Sequence, residues 1–253
     1  MGIDVFGVTD IGRKRAFNED RFLVAETAAS VSPGEGPALL LAVADGIGGH
    51  AGGDVASALA IDTLKSRVLE NLPSPLDPRT APAVLISAFV AANGAVYDHA
   101  RETDHLNGMG TTLVAALVSG SRAFVANVGD SRLYHIRGGI AAQVTLDHSW
   151  AAEQRRMSSL SDMDIGRSPF RNMITRSIGF ADTIEVDTFA VDLAAGEGLL
   201  LCTDGLYGPL KEKDILKAFR KRRSAEDICR RLIRAACKAG SRDNITAVAA
   251  KIT

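Results

Sequence analysis

The sequence has few cysteines, few aromatic residues and no excess of charge of either sign. Its three cysteines, Cys202, Cys229 and Cys237, contain no C-x-x-C pair, which argues against a zinc site or a disulfide framework. Lys and Arg number 29 against 30 Asp and Glu, for a net charge of -1. We therefore expect no basic stripe and no binding of nucleic acid.

Long apolar runs are also missing. The longest, such as residues 38–44 and 198–202, are far too short to span a membrane. The opening segment, MGIDVFGVTD, has neither the basic start nor the apolar centre of a signal peptide. The sequence is therefore expected to be that of a cytoplasmic protein that has no membrane partner.

Several familiar phosphate-handling motifs do not occur. There is no GxxxxGK[ST] loop and no GxSxG motif, and no cysteine is followed six positions later by an arginine. The segment GIGGHA at 46–51 does match the GxGxxG/A dinucleotide fingerprint, which is a competing interpretation. Asp45 just before it would bring negative charge towards a pyrophosphate, and the middle of the chain does not supply the required parallel sheet. We therefore disfavour a nucleotide cofactor.

Two kinds of periodicity run along the chain. Helical spacing is found at 54–72, 82–102, 211–219 and 225–240, and strand-like runs at 3–8, 21–26, 38–44, 111–118, 122–128, 132–137, 140–146, 184–191, 198–203 and 244–252. The tight connectors SGSR, GDS and GG between 118 and 140 predict antiparallel hairpins. Helices clustered between blocks of hairpins indicate sheet packed on sheet with helices outside.

Aspartates recur at the edges of the predicted strands, namely Asp20, Asp45, Asp130, Asp204 and Asp243. Taken alone, each would most often be a cap or a turn residue. Carboxylates that converge from neighbouring strands repel, however, and stay ionised together only if a divalent cation neutralises them. All-oxygen ligation selects hard ions, so the pattern predicts a Mg²⁺ or Mn²⁺ site.

Eight segments carry a family resemblance: in chain order they are RKRAFNEDRF, VADGIGGHAGG, GMGTTLVAA, VGDSRLYHIR, TLDHS, RNMITRSIG, LLCTDGL and GSRDNITAVA. Together they resemble the metal-dependent serine/threonine protein phosphatases of type 2C, the PPM family, in its compact bacterial form. The resemblance implies an α+β fold, a four-layer αββα sandwich of two antiparallel β-sheets flanked by helices, as one catalytic domain over 1–253. Residues 150–172 stand in the place of the family's mobile flap but match it little, which bears on substrate choice and not on catalysis.

The resemblance also implies a set of metal ligands. Asp45 would bridge two metal ions, with the carbonyl of Gly46 as a further ligand. Asp204 and Asp243 would complete one ion, and Glu19 would hold the second largely through water. Two tightly bound ions, Mn²⁺ or Mg²⁺, are thus expected as cofactors.

Four further residues receive roles from the same resemblance. Arg15 matches the arginine that binds the substrate phosphate, and Asp130 matches the ligand of a third, weaker ion. Asp20 either orients metal-bound water or is purely structural. His50 is the nearest candidate by sequence for the acid that protonates the leaving group, the alternative being a hydrogen bond to the loop backbone.

The implied function is hydrolysis of phosphoserine and phosphothreonine by attack of a metal-bridging hydroxide, in signal transduction. The implied partners are phosphoproteins, the substrates of a partner serine/threonine kinase, and the enzyme is expected to act as a monomer. A regulatory pseudophosphatase is one alternative, although it would be expected to have lost a metal carboxylate, and every matched one is present. Another metal-dependent phosphoester hydrolase would use the same ions.

Overall fold

The computed structural model describes residues 2–27, 37–48, 52–73, 76–77, 79–157, 160–220 and 223–253. The strands are β1 (Ile3–Asp10), β2 (Asp20–Glu26), β3 (Leu39–Ile47), β4 (Gly110–Thr111), β5 (Leu113–Ser119), β6 (Arg122–Val128), β7 (Arg132–Arg137), β8 (Ile140–Gln143), β9 (Asp187–Asp192), β10 (Gly198–Cys202) and β11 (Ile245–Ile252). The helices are α1 (Gly53–Asn71), α2 (Ala81–Glu102), α3 (Trp150–Met157), α4 (Asp162–Arg167), α5 (Asp204–Tyr207), α6 (Glu212–Ala218) and α7 (Ala225–Ala239).

The strands form two antiparallel sheets. One has the order β1-β11-β10-β7-β8, and the other has the order β2-β3-β5-β6-β9, with β4 paired to β3. β1 pairs with β11 along its whole length, from Ile3 opposite Ile252 to Asp10 opposite Ile245. The two ends of the described chain therefore lie side by side in one sheet.

Three apolar clusters separate four layers. Strand β3 shows how, because Leu39, Leu41 and Val43 face the other sheet whereas Leu40 and Ala42 face α1 and α2. Successive strand residues point to opposite faces, so a strand covered on both sides reads as a continuous apolar run. A third cluster packs α6 and α7 on the first sheet. The predicted αββα sandwich is thus confirmed.

Helix α2 is long and apolar enough, by length and composition, to cross a membrane. Its apolar side chains Leu85, Phe89 and Val96 are nevertheless fully buried in the cluster beneath the second sheet. This burial accounts for one face of α2, whereas Ile86 and Val90 on the helix are exposed.

One predicted hairpin is wrong. β6 and β7 are separated only by Gly129, Asp130 and Ser131, yet β6 pairs with β5 and β9 while β7 pairs with β10 and β8. The chain crosses here from one sheet to the other. Val125 of β6 and Leu133 of β7 share the core between the sheets, but the opposite face of β6 packs on the α1–α2 side and that of β7 on the α6–α7 side. The hairpins at 119–122 and 137–140 are confirmed.

All three cysteines are free, and two of them, Cys202 and Cys229, are buried. Burial raises the pKa of the Cys229 thiol to about 12. The expectation that no disulfide forms is confirmed, and these thiols are packing groups.

Candidate active site

The strand ends bring the predicted carboxylates together in pairs. In the second sheet, Asp20 of β2 stands directly opposite Asp45 of β3. In the first sheet, Asp204 follows β10 and Asp243 precedes β11, and these two strands are neighbours. Two like charges face each other across the ladder, which is unfavourable without a cation. The cleft between the sheet ends therefore concentrates negative charge from both sheets.

Gly46 lets the backbone that follows Asp45 pack very closely against the start of α1. A Cβ atom at Gly46 would lie 2.1 Å from the carbonyl oxygen of Gly53 and 2.7 Å from that of Glu19. The amide of Gly46 donates to the same Glu19 oxygen over 3.2 Å. The glycine at 46 is therefore required by this close approach, whatever else its carbonyl binds.

Asp20 is the most buried carboxylate of the cluster, with 1% of its surface exposed. Its Oδ2 accepts hydrogen bonds from the hydroxyls of Thr203 at 2.9 Å and Thr246 at 2.6 Å. Burial raises the pKa of Asp20 to about 7, and the two threonine hydroxyls oppose that rise. These contacts favour the structural alternative for Asp20, since one carboxylate oxygen already has two donors.

Burial and mutual repulsion act on the other carboxylates in the same way. Burial raises the pKa of Asp45 well above its usual range, and the charges of Asp20, Asp204, Asp130 and Asp243 add to the effect. Burial and Asp243 raise the pKa of Asp204 to about 6. The metal-free cleft therefore holds protons that isolated aspartates would release at neutral pH.

Asp130 occupies the crossover between the sheets. Its carbonyl accepts a hydrogen bond of 2.9 Å from the hydroxyl of Tyr207. Burial and the charge of Asp204 raise the pKa of Asp130 to about 7. Gly129 precedes it at a φ of 104°, with a hypothetical Cβ 2.6 Å from Thr112, so this turn needs glycine. The turn thus carries a carboxylate close enough to Asp204 for the two charges to repel.

Arg132 stabilises the same turn indirectly, through the ring of Tyr207. Its guanidinium donates to both carboxylate oxygens of Asp147, with Nη2 2.6 Å from Oδ2, and lies 3.6 Å from the centre of the Tyr207 ring. A planar guanidinium can make the paired bonds and the stacking contact at once. The stacked ring is the one whose hydroxyl holds the Asp130 carbonyl.

His148 holds the other side of the turn. Its Nδ1 accepts from the amide of Gly129 at 3.0 Å, and its own amide donates to the Gly129 carbonyl at 3.0 Å. Because Nδ1 is an acceptor, Nε2 carries the proton and donates to Asp187 Oδ2 at 3.2 Å. Arg176 donates to the other Asp187 oxygen at 2.9 Å. Burial lowers the pKa of His148, which keeps the ring neutral.

Arg15 lies at the open side of the cleft with 46% of its side chain exposed. Its Nη2 is 2.7 Å from Asp243 Oδ2, and its Nη1 is 3.7 Å from Glu19 Oε2. Asn244 fixes the loop that carries it, donating to the carbonyls of Ile11 at 3.0 Å and Phe17 at 2.9 Å. A half-exposed guanidinium beside the carboxylates can reach an anionic group that enters the cleft.

Within the described ranges, no three acidic, histidine or cysteine side chains already surround a point as metal ligands. Two of the carboxylates are already engaged by other side chains: Arg15 forms an ion pair with Asp243, and two threonine hydroxyls donate hydrogen bonds to Asp20. The structure brings Arg15, Glu19, Asp20, Asp45, Gly46, Asp130, Asp204 and Asp243 to one cleft. His50 lies outside the described residues.

Sequence reasoning did not assign the residues that support this set. Thr203 and Asn244 adjoin the strand-end aspartates Asp204 and Asp243, and Thr246 is the second residue of β11; this nearness to strand ends is the signal that could have found them. Asp187 and Arg176 are far from the site in sequence and carry no such signal. They reach it only because β9 pairs with β6, next to the crossover.

The protein phosphatase 2C family model matches residues 4–245. The Listeria monocytogenes serine/threonine phosphatase Stp is 35% identical over 238 residues, which is 94% of this chain and 91% of that protein. The structure of the Streptococcus agalactiae serine/threonine phosphatase superposes with a TM-score of 0.91 at 30% identity, over 100% of both chains. That of Mycobacterium tuberculosis PstP/Ppp superposes with a TM-score of 0.84 at 32% identity, over 99% of this chain and 98% of that one.

The chain belongs to the protein phosphatase 2C family. It is accordingly a hydrolase, a serine/threonine phosphatase of the metal-dependent type that defines this family. The resemblance inferred from the sequence segments is confirmed.

Proposed function

We propose that this enzyme removes phosphate from phosphoserine and phosphothreonine in proteins with the help of Mn²⁺ or Mg²⁺ held between the ends of its two sheets. The observation that supports this most strongly is the meeting of Asp20 and Asp45 from one sheet with Asp204 and Asp243 from the other, beside one half-exposed arginine. Such a cleft suits divalent cations and a phosphate group together.

The donor set fits hard divalent ions. All the candidate ligands are carboxylate or carbonyl oxygens, which Mg²⁺ and Mn²⁺ prefer. The raised pKa values of Asp45, Asp130 and Asp204 arise from burial and from one another's charge, and a cation would relieve both. When bound, such ions would supply Lewis acidity and lower the pKa of coordinated water towards neutrality.

The individual roles follow from position. We assign Asp45 to both ions, with the carbonyl of Gly46 as a further ligand, whereas Asp204 and Asp243 would complete one of the two ions. Glu19 has 16% of its side chain exposed and lies beside Arg15 at the open side of the cleft. We assign it to the other ion. These assignments keep each ligand at a strand end.

Two charged groups bind at the margin of the cleft. Arg15 would hold two phosphate oxygens through its guanidinium fork, and in doing so would orient the phosphorus and offset charge that develops during transfer. Asp130 would contribute to a third, weaker ion, because it shares its surroundings with Asp204. Asp20 positions the site through its two threonine partners. His50 remains a prediction for the acid that protonates the leaving oxygen.

We further propose that residues 1–253 form one catalytic domain that acts in the cytoplasm as a monomer. The substrates would be phosphoproteins made by a partner serine/threonine kinase. The presence of Asp45, Asp204 and Asp243 in the cleft disfavours a pseudophosphatase that only binds such proteins.

Phosphate release from a phosphothreonine peptide tests the proposal. We expect release with Mn²⁺ or Mg²⁺ and none in EDTA. Asp45→Asn and Asp243→Asn should each lower kcat by about 10² or more, since each removes an ionised ligand, while circular dichroism stays that of the parent. Full activity in EDTA, or near-normal turnover of Asp45→Asn at micromolar Mn²⁺, would contradict the metal mechanism.

A further inference from the structure

Helices α6 and α7 enclose a basic pocket on the outer face of the first sheet. It has a volume of about 370 Å³ and is lined by Lys217, Arg220, Arg223, Arg231 and Arg234, with Asp214, Ala218, Leu232 and Ala235 completing the wall. This volume lies within the range of small-ligand sites in proteins. The name "basic pocket" is used below for this group.

Three of the five cationic side chains of the basic pocket pair with no carboxylate of the described residues. Its only carboxylate, Asp214, is already paired with Lys217 at 3.3 Å. Within the described parts of the chain, Arg220, Arg231 and Arg234 have no carboxylate within 4.0 Å, and all three are exposed. Partial burial and the neighbouring charges of Arg231 and Arg220 lower the pKa of Arg223. The protein thus holds several guanidinium groups against mutual repulsion.

The repulsion is built into one helix. Arg231 and Arg234 are three residues apart on α7, and Arg230 and Arg234 are four apart, spacings at which like charges destabilise a helix. Between residues 220 and 238 the chain has eight basic and two acidic residues, although its net charge is -1. The expected absence of a basic stripe is therefore wrong, because a near-neutral total conceals a local excess.

We propose that the basic pocket binds a second phosphorylated residue of a multiply phosphorylated protein substrate, outside the cleft where hydrolysis takes place; this rests on the proposed function. Guanidinium forks that converge from a helix and the segment before it match phosphate oxygens in pairs. The pocket is an open depression between α6 and α7 that a phosphorylated side chain can enter. The net negative charge of the rest of the chain disfavours an extended membrane or nucleic-acid surface.

The pocket and the cleft share helix α7. Gly240 ends the helix three residues before Asp243, and Arg234 and Arg231 lie six and nine residues before Gly240. At 1.5 Å per residue this places the two arginines about 9 and 14 Å from the helix end that leads to the cleft. An extended peptide advances roughly 3.3 Å per residue, so two phosphates about ten residues apart have ample reach.

The test compares two peptides that share one cleavable phosphothreonine. The first has a threonine ten residues away, and the second has there a phosphonate analogue of phosphothreonine that the enzyme cannot hydrolyse. For the parent enzyme with Mn²⁺ we expect a KM about tenfold lower for the second peptide, since the phosphonate oxygens would accept charge-assisted hydrogen bonds from the pocket arginines. Equal KM values for the two peptides would overturn the proposal.

The variant Arg231→Gln/Arg234→Gln should raise the KM of the doubly modified peptide to that of the single one. Its kcat, and its turnover of p-nitrophenyl phosphate, should stay those of the parent. Arg67→Gln/Arg101→Gln, which removes the same charge from exposed positions of α1 and α2, serves as the matched control and should change neither KM. An equal shift in the control would show a general charge effect and overturn the proposal.

Four further measurements separate the possible outcomes. Arg220→Gln changes the segment between α6 and α7 and should reproduce the KM shift if α7 tolerates no change. In EDTA, fluorescence anisotropy should still detect peptide binding to the parent and not to the double variant. Binding of phosphatidylserine vesicles or an oligonucleotide, without discrimination between the peptides, would assign the surface to another partner. Mn²⁺-dependent cleavage of the singly phosphorylated peptide tests the proposed function separately.

Discussion

At the scale of single residues, Arg15 has two partners in the cleft: the carboxylate of Asp243 and, by our assignment, the substrate phosphate. The hydrogen bond with Asp243, 2.7 Å long, raises the pKa of Arg15 and occupies an oxygen that we assign to a metal ligand. A cation and the guanidinium therefore compete for one carboxylate. The same side chain is the only arginine we assign to the substrate phosphate.

Arg15→Ala is expected to bind Mn²⁺ more tightly and substrate more weakly. Removal of a positive charge beside a ligand favours the cation, whereas loss of the phosphate fork should raise KM about tenfold or more. Titration calorimetry with Mn²⁺ and steady-state kinetics on a phosphothreonine peptide measure the two effects. Arg13→Ala is the control, being an exposed arginine of the same loop. Unchanged Mn²⁺ affinity in Arg15→Ala would show that the ion pair does not compete.

His148 is the residue through which the Asp130 turn can be tested without changing the carboxylate. His148→Ala leaves the Gly129 amide without its acceptor, at a cost of about 1–3 kcal/mol of unfolding free energy. Because the turn carries Asp130, turnover at limiting Mn²⁺ should fall more than turnover at saturating Mn²⁺. His148→Asn can restore the acceptor with its side-chain oxygen and should recover much of both losses.

Melting curves and Mn²⁺ titrations of the two His148 variants provide the measurement. If His148→Asn loses as much stability and turnover as His148→Ala, the hydrogen bond accepted by Nδ1 does not account for the losses. If stability falls while the Mn²⁺ dependence stays that of the parent, His148 supports the fold but not the turn.

At the scale of helices and strands, amphipathic spacing was the reliable signal. The predicted helices at 54–72 and 82–102 differ from α1 and α2 by one residue at most at any end. Their apolar stripes face the second sheet and leave little freedom in where each helix begins. Helices α3 and α4 were not predicted, because each buries a single side chain, Ala151 and Ile165, and so shows no apolar period.

The crossover at Asp130 marks where local sequence was insufficient. Gly, Asp and Ser are ordinary hairpin residues, and nothing within the turn distinguishes a hairpin from a change of sheet. The side chains of β7 determine which sheet it joins: Leu133 enters the core between the sheets, whereas Tyr134 packs towards α6 and α7. The candidate carboxylates were nevertheless identifiable, because strand ends can be read from the chain. Their supporting partners Asp187 and Arg176 could not be read, since they depend on that topology.

The close approach of β3 to α1 leads to a prediction at this scale. Gly46→Ala should destabilise the protein by about 1–3 kcal/mol or more and impair metal-dependent turnover, because the new methyl group would meet backbone that cannot move alone. Gly94→Ala in α2 is the matched control: its Cβ would meet nothing within 4 Å. Alanine is the better helix former there by about 1 kcal/mol, so the control should be stabilised. Urea denaturation of the parent and of both variants measures their unfolding free energies. Equal destabilisation by the two substitutions would contradict the packing argument.

At the scale of the whole molecule, the carboxylate cleft sets how stability depends on pH. The folded-state pKa values of Asp20 and Asp130, about 7, lie above the 3.8 that is usual for an aspartate. The folded protein therefore binds more protons than the unfolded chain between these values, and its unfolding free energy decreases as pH rises through that window. Metal binding reverses this, because it requires the ionised carboxylates.

Metal-free protein in EDTA should accordingly melt at a higher temperature at pH 5.5 than at pH 8. A protein of this size shifts about 2–4 °C for each kcal/mol, so the difference should be easily measured. With millimolar Mn²⁺ the order should reverse. Asp20→Asn should flatten the metal-free slope, since the group with the deepest burial no longer titrates. A metal-free protein that is more stable at pH 8 than at pH 5.5 would contradict the repulsive cluster.

The pairing of β1 with β11 has a consequence for synthesis on the ribosome. β1 is an edge strand whose only neighbour in its sheet is β11, and β11 follows every other described strand in the chain. The same late segment supplies Asp243 and Thr246, one a proposed ligand and the other a partner of Asp20. During synthesis, β1 therefore stays unpaired and the cleft stays incomplete until residue 252 has left the exit tunnel. Dephosphorylation therefore cannot begin before β11 has emerged, and until then the first strand presents an unpaired sheet edge.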